Sequence, residues 1–334
     1  MANSFYPLYT KGQLDPQSEA ILDQIAKANG NPFSSLTPQQ ARECFLPQSW
    51  IGAPIDGIQI DEEEITGKGG GIPVRIYTPK GKPPFPITIF YHGGGFVLGT
   101  LEEFDPFCSR LAAGARCIVV SVGYRLAPEH KHPAAVEDAI AALYWVTAHA
   151  EEIHGDRTRM AVAGDSAGGN LAAVTSMIAR DQGGPCLVCQ VLICPWVDLS
   201  TSATESFRVF GEGLWLSEAS IHWYRSHYLE SMEQSLHPRV SPLLMNDLSR
   251  LPPTLIVIAE FDVLRDQEYA YAERLQEGGV SVSCTQYDGM IHDFPTVPGL
   301  FNRAQDAIDE ICMALRMAFM ELSKTDKDDE DTTT

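Results

Sequence analysis

The sequence predicts an α/β protein: one eight-stranded, mostly parallel sheet with helices on both faces. Three observations predict it. Apolar strand-like runs alternate with helical patterns from about residue 105 onward, the order that builds parallel sheets. The later runs are continuously apolar, as strands buried on both faces are. The 334 residues, 44% of them hydrophobic and 20% charged, are enough to bury a large core of this kind.

The elements follow in order. Residues 1–50 read as a helical, partly polar segment; 18–28 has helical spacing, and Thr37-Pro38 sets an N-cap before a proline at the first helical position. Strand-like runs cover 57–65 and 72–78, which alternate apolar and polar as antiparallel edge strands do. Six more cover 85–91, 117–122, 160–163, 187–194, 254–259 and 280–287. Helical patterns cover 105–114, 133–149, 169–180, 265–277 and 302–322. The stretch 198–230 breaks the rhythm: it carries Phe207, Phe210, Trp215, Trp223 and Tyr224 but no strand, and reads as an aromatic-rich helical insertion. The polar, acidic tail 323–334 is expected to be disordered. The core is therefore expected over 51–197 and 231–322.

Charge excludes several roles. A formal net charge of −20 repels phosphate backbones and anionic lipid headgroups, so neither nucleic acid nor membrane is an expected partner. The first residues lack the basic and apolar regions of a secretory leader, and no apolar run is long enough to span a bilayer. The eight cysteines are scattered, several of them in apolar runs. Cys186 and Cys189 form a single C-x-x-C without the second pair that a zinc site needs, so no metal is expected. These features fit a reducing cytoplasm.

The chemistry starts at Gly164-Asp165-Ser166-Ala167-Gly168, between an apolar strand-like run and a helix start. This is the pattern of a nucleophile elbow, in which a turn too sharp for flanking side chains lifts a serine hydroxyl above the sheet. Serine alone is a poor nucleophile; it needs a base and a carboxylate to orient that base. Asp262 follows the seventh strand-like run and His292 the eighth, so the chain supplies serine, acid and histidine in order, each just past a strand end. Glu260 and Asp266 are rival acids, placed respectively at the strand end and along the next helical turn. Tyr91-His92-Gly93-Gly94-Gly95-Phe96 follows the third run, where backbone N–H donors for an oxyanion can be built. Gly94, Gly95 and Ala167 are the expected donors. His92 is expected to be a scaffold residue.

Taken together, His92-Gly93-Gly94-Gly95, the segment from Tyr124 to His130, Gly164-Asp165-Ser166-Ala167-Gly168-Gly169 and the Asp262 and His292 segments resemble the hormone-sensitive-lipase-like esterases, the family IV carboxylesterases, over about residues 50–320. The resemblance implies an α/β-hydrolase fold with a helical cap built from 1–50 and 198–230, hydrolysis of short- to medium-chain acyl esters, no cofactor, and frequent homodimers. Two positions depart from the family pattern: Val263 stands where proline is common, and Asp293 where glycine is frequent. Phe96, Phe207, Phe210 and Trp215 are candidates for the acyl pocket. An amidase or aryl-formamidase with the same triad stays open, as does a ligand-binding receptor on the same fold, although such receptors lack the histidine.

Overall fold

The computed structural model describes residues 12–27 and 33–330. An eight-stranded sheet lies at its centre, in the spatial order β1-β2-β4-β3-β5-β6-β7-β8. The strands are β1 (Gln59–Gly67), β2 (Gly70–Thr78), β3 (Phe85–Tyr91), β4 (Ile118–Val122), β5 (Gly155–Asp165), β6 (Cys189–Ile193), β7 (Thr254–Phe261) and β8 (Val282–Ile291). β2 runs antiparallel to both β1 and β4; every other neighbouring pair is parallel.

The burial pattern follows the residues. β4, β6 and β7 are buried at every position, which matches their mostly apolar runs. β1 and β8 are the two edges; β1 exposes Asp61, Glu62, Glu63 and Glu64, charges that block pairing with another strand. β2, expected as an edge strand, is interior, because β4 pairs along its far side.

Helices cover the sheet: α4 (Asp105–Ala115), α5 (Ala134–Ala148), α6 (Ala167–Gln182), α9 (Arg265–Glu277) and α10 (Arg303–Glu330). Short helices α1 (Pro16–Lys27), α2 (Pro38–Arg42) and α3 (Gln48–Ile51) precede the sheet, and α7 (Glu205–Phe210) and α8 (Glu218–Tyr228) fill the break after β6. Thr37 caps α2, with Gln40 closing a reciprocal capping box.

Two of the expected segments run partly past the described residues, which exclude 1–11, 28–32 and 331–334. Over 323–330, where disorder was expected, the backbone of α10 continues as helix. After Gly299 no glycine or proline interrupts the chain, so nothing in the sequence stops the helix early.

The chain leaves β3 for β4 on one side and returns for β5 on the other. The ends of β3 and β5 are therefore adjacent, with Tyr91 opposite Gly164. An open parallel sheet binds its ligands at such a reversal of strand order, outside the carboxyl ends of the strands.

Candidate active site

β5 ends at Asp165, and α6 begins at Ala167. Only Ser166 lies between them, at φ 51° and ψ −115°, backbone that a residue with a side chain rarely adopts. The flanking glycines make the turn possible. A Cβ on Gly164 would overlap the Gly168 carbonyl, a Cβ on Gly168 would overlap the Tyr91 carbonyl, and one on Gly169 would lie 2.9 Å from Pro195 Cβ. The Ser166 amide donates to the Ile193 carbonyl at 2.8 Å, and the Ser166 carbonyl accepts from Trp196 N at 3.0 Å. The elbow is thus tied to the end of β6 through its amide and to the segment just after β6 through its carbonyl. Asn170, one turn into α6, donates to the carbonyls of Trp196 at 2.7 Å and Val240 at 2.8 Å.

β7 and β8 place the other two groups. Phe261 pairs with Ile291, so the next residues, Asp262 and His292, emerge side by side. Ser166 Oγ lies 3.0 Å from His292 Nε2, and His292 Nδ1 lies 2.5 Å from Asp262 Oδ2. The other Asp262 oxygen accepts from Leu264 N at 2.8 Å, which fixes the carboxylate in place. All three residues are buried, the hydroxyl-bearing Ser166 being 6% exposed. The rival acids are committed elsewhere. Glu260 accepts from Gly289 N at 2.8 Å and Gly12 N at 3.1 Å, while Asp266 accepts from Ser206 N at 2.8 Å and so ties α9 to α7.

Charge is unusually dense around the imidazole. Asp293 sits in left-handed backbone, φ 55°, and its Oδ2 lies 3.0 Å from His292 Nε2. That nitrogen therefore faces both the serine hydroxyl and a second carboxylate. When neutral it accepts from Ser166; when protonated it donates to Asp293. Burial lowers the His292 pKa, but Asp262 and Asp293 outweigh it and hold the imidazole well above its ordinary value of 6.5. Burial also raises the Asp293 carboxyl, and raises Asp165 well above the carboxylate range. Glu268, on α9, is fully buried without a hydrogen-bond partner; burial, then Asp262, raise it as well. Sequence reasoning noted Asp293 as a departure but missed Asp165 and Glu268 as buried acids, since nothing in their local patterns marks them.

The glycine loop after β3 packs from the other side. Tyr124 donates to the His92 carbonyl at 2.6 Å, and its ring stacks on the His92 ring with centroids 4.3 Å apart. His92 Nδ1 lies 2.8 Å from the Gly93 carbonyl oxygen. Burial lowers the His92 pKa to about 4, so it is a neutral scaffold group away from the serine. Gly94 and Gly95 have positive φ, 106° and 61°, and line the same cavity as Ser166 and His292. Ala167 opens α6, where first-turn N–H groups have no partner within the helix.

That cavity measures about 700 Å³. Its walls come from α1–α3 and from the segment around α8: Leu36, Phe45 and Trp50 on one side, Trp215, Ile221 and Tyr224 on the other. Trp50 and Trp215 meet with ring centroids 5.4 Å apart. Of the four aromatic residues expected in the pocket, only Trp215 lines it. Phe96 turns into the core and stacks on Tyr228 at 3.9 Å. Phe210 packs on Phe261 and under the Arg265 guanidinium, and Phe207 is buried beside it in α7. These three are corrected to core positions: α7, which carries Phe207 and Phe210, packs on α9 and β7, while Phe96 is covered by Tyr228 and Trp196. Trp50 and Tyr224 take their place. The aromatic content of the segments hinted at them, but spacing alone could not say which rings face inward.

Cys194 Sγ also comes within 4.8 Å of the Asp262 and His292 donor atoms. The imidazole and the carboxylate are already paired with each other at 2.5 Å. All eight cysteines are free, and burial pushes Cys117 and Cys189 up to about 12, too high for reactive thiolates.

A serine hydroxyl on a strained elbow, a histidine backed by a buried carboxylate and a glycine loop at one cavity floor define a serine hydrolase. Comparison with known proteins gives the family. A family model described as "alpha/beta hydrolase fold" matches residues 88–296. The carboxylic ester hydrolase LipN of Mycobacterium tuberculosis is 41% identical over 265 residues, which cover 78% of this chain and 70% of that one. The ethyl acetate hydrolase of Pseudomonas putida is 34% identical over 317 residues, 91% of this chain and 98% of that one. Among solved structures, the hyperthermophilic esterase of the archaeon Pyrobaculum calidifontis superposes with a TM-score of 0.87 at 39% identity, covering 92% of this chain and 99% of that one. The chain belongs to the α/β-hydrolase family, in its hormone-sensitive-lipase-like branch, and its class is the carboxylic ester hydrolases. Among the described residues no helix is long and apolar enough to cross a membrane.

Proposed function

We propose that the protein hydrolyses short- to medium-chain acyl esters through an acyl-enzyme formed on Ser166. The observation that carries this reading is the unbroken line from Ser166 Oγ to His292 to Asp262, at 3.0 Å and 2.5 Å, opening into the aromatic cavity. His292 Nε2 takes the hydroxyl proton as Oγ bonds to the ester carbonyl carbon. The N–H groups of Gly94, Gly95 and Ala167 receive the negative charge that appears on the carbonyl oxygen. The imidazolium then gives its proton to the departing alkoxide, and the alcohol leaves. A water loses a proton to the same nitrogen, attacks the acyl-serine, and the carboxylic acid is released as Oγ is reprotonated. Asp262 holds the Nδ1–H tautomer and stabilises the imidazolium without itself becoming protonated.

In this reading α1–α3 and α7–α8 form the cap over the acyl pocket. The apolar walls and the limited volume favour short and medium acyl chains over long ones. Eight free cysteines support a reducing compartment, the cytoplasm, as the working environment. A ladder of p-nitrophenyl esters from acetate to dodecanoate, with matching anilides, tests the reading. It predicts turnover of esters that peaks at short or medium length and far slower anilide cleavage. Faster anilide than ester cleavage, or no turnover of any member, would refute it.

A further inference from the structure

Asp293 is a polar group at the cavity floor that this reaction does not use. Its Oδ2 faces His292 Nε2 at 3.0 Å, and its Oδ1 is buried without a hydrogen-bond partner. Asp165 lines the same cavity, is 1% exposed, and likewise has one oxygen, Oδ1, without a partner.

A carboxylate in that place opposes the hydrolysis of a neutral ester. It pairs with the imidazolium at the nitrogen that must be free to accept the serine proton. It also adds negative charge beside an intermediate that is itself an anion. Both costs fall when a positive charge on the substrate lies against Asp293: the cation then neutralises the carboxylate, and His292 is released to act as a base. The rest of the cavity suits such a charge. The rings of Trp50, Trp215 and Tyr224 line it, and aromatic faces attract ammonium groups. No lysine or arginine lines it among the described residues. The net charge of −20 draws cations toward the whole molecule.

Resting on the esterase reading above, we propose that the substrates selected by this enzyme are esters bearing an ammonium or quaternary ammonium group, with Asp293 as the selecting residue. The acetate ester of choline and the acetate of 3,3-dimethylbutanol have the same shape and differ by nitrogen for carbon, so their kcat/KM ratio isolates the charge. The ratio is expected to favour the cation by on the order of tenfold, equivalent to about 1.4 kcal/mol of transition-state stabilisation. In Asp293→Asn it falls toward one. Asp293→Gly, which adopts a φ of 55° without strain, is expected to do the same. A ratio does not depend on the fraction of enzyme that is folded. Equal rates for the two esters in the parent, or a ratio unchanged in both variants, would overturn the proposal. If neither acetate reacts while p-nitrophenyl acetate does, the substrate class alone is wrong. If p-nitrophenyl acetate is also inert, the esterase reading has failed and this inference fails with it.

Discussion

Gly168 lies so close to Tyr91, the last residue of β3, that a Cβ on it would overlap the Tyr91 carbonyl oxygen. The contact joins the first turn of α6 to the strand that carries the glycine loop. Gly168→Ala must push α6 away from β3 and carry Ser166 with it. The expected result is a stability loss of about 1–3 kcal/mol, the usual cost of overpacking, together with a fall in kcat. Thermal melting and steady-state kinetics on the purified variant check it; parental values for both would mean that the close approach is not needed.

The pH dependence follows from the two carboxylates that flank His292. The imidazole must be neutral to accept the serine proton, and Asp262 and Asp293 hold its pKa above 6.5 against the opposing effect of burial. Activity should therefore fall as pH drops through a value above 6.5, earlier than for an unperturbed histidine. Asp293→Asn removes one raising charge, so the acid limb of kcat/KM should move to lower pH. A limb that stays put or moves upward would show that Asp293 does not act on the imidazole.

Three acids stand near the end of β7, and the structure separates them. Asp262→Asn should lower kcat by about 10⁴-fold, as loss of the tautomer-holding carboxylate does in such triads. Asp266→Asn weakens the tie to Ser206 N and should cost about 1–3 kcal/mol of stability with a much smaller loss of kcat. The reverse ranking in kinetics and melting would reassign the acid.

The aromatic residues give a matched pair. Trp215 lines the cavity and Phe210 does not. Trp215→Ala should shift the preferred p-nitrophenyl ester toward longer chains with little change in melting. Phe210→Ala empties a buried site against Phe261 and should cost about 3–5 kcal/mol, leaving the ranking of chain lengths as in the parent. A changed ranking in Phe210→Ala would put that ring back in the pocket.

How much of this was legible in the sequence depends on how local the constraint is. Ser166 was legible because Gly164 and Gly168 are demanded within five residues of it by backbone overlap. Asp262 and His292 were legible because each follows a strand-like run, and parallel strands carry their ligands at that end. Phe96, Phe207 and Phe210 were misplaced because a ring in a helix or loop does not reveal which neighbour it meets; Tyr228 and Phe261, which cover Phe96 and Phe210, come from distant parts of the chain. Trp50 reaches the cavity from a segment more than 100 residues away from Ser166, a relationship only the packed molecule contains. Asp293 was visible as a departure from a glycine position, but its 3.0 Å approach to Nε2 was not, since it depends on the left-handed turn after β8.

Covalent labelling of the serine is the most direct test. Treatment with diethyl p-nitrophenyl phosphate should add one diethyl-phosphoryl group per chain, abolish ester turnover and map by peptide mass spectrometry to Ser166; Ser166→Ala should remain unlabelled and lose on the order of 10⁶-fold in kcat. A label found on any other residue, or a Ser166→Ala protein that cleaves its best ester at the parental rate, would contradict the account.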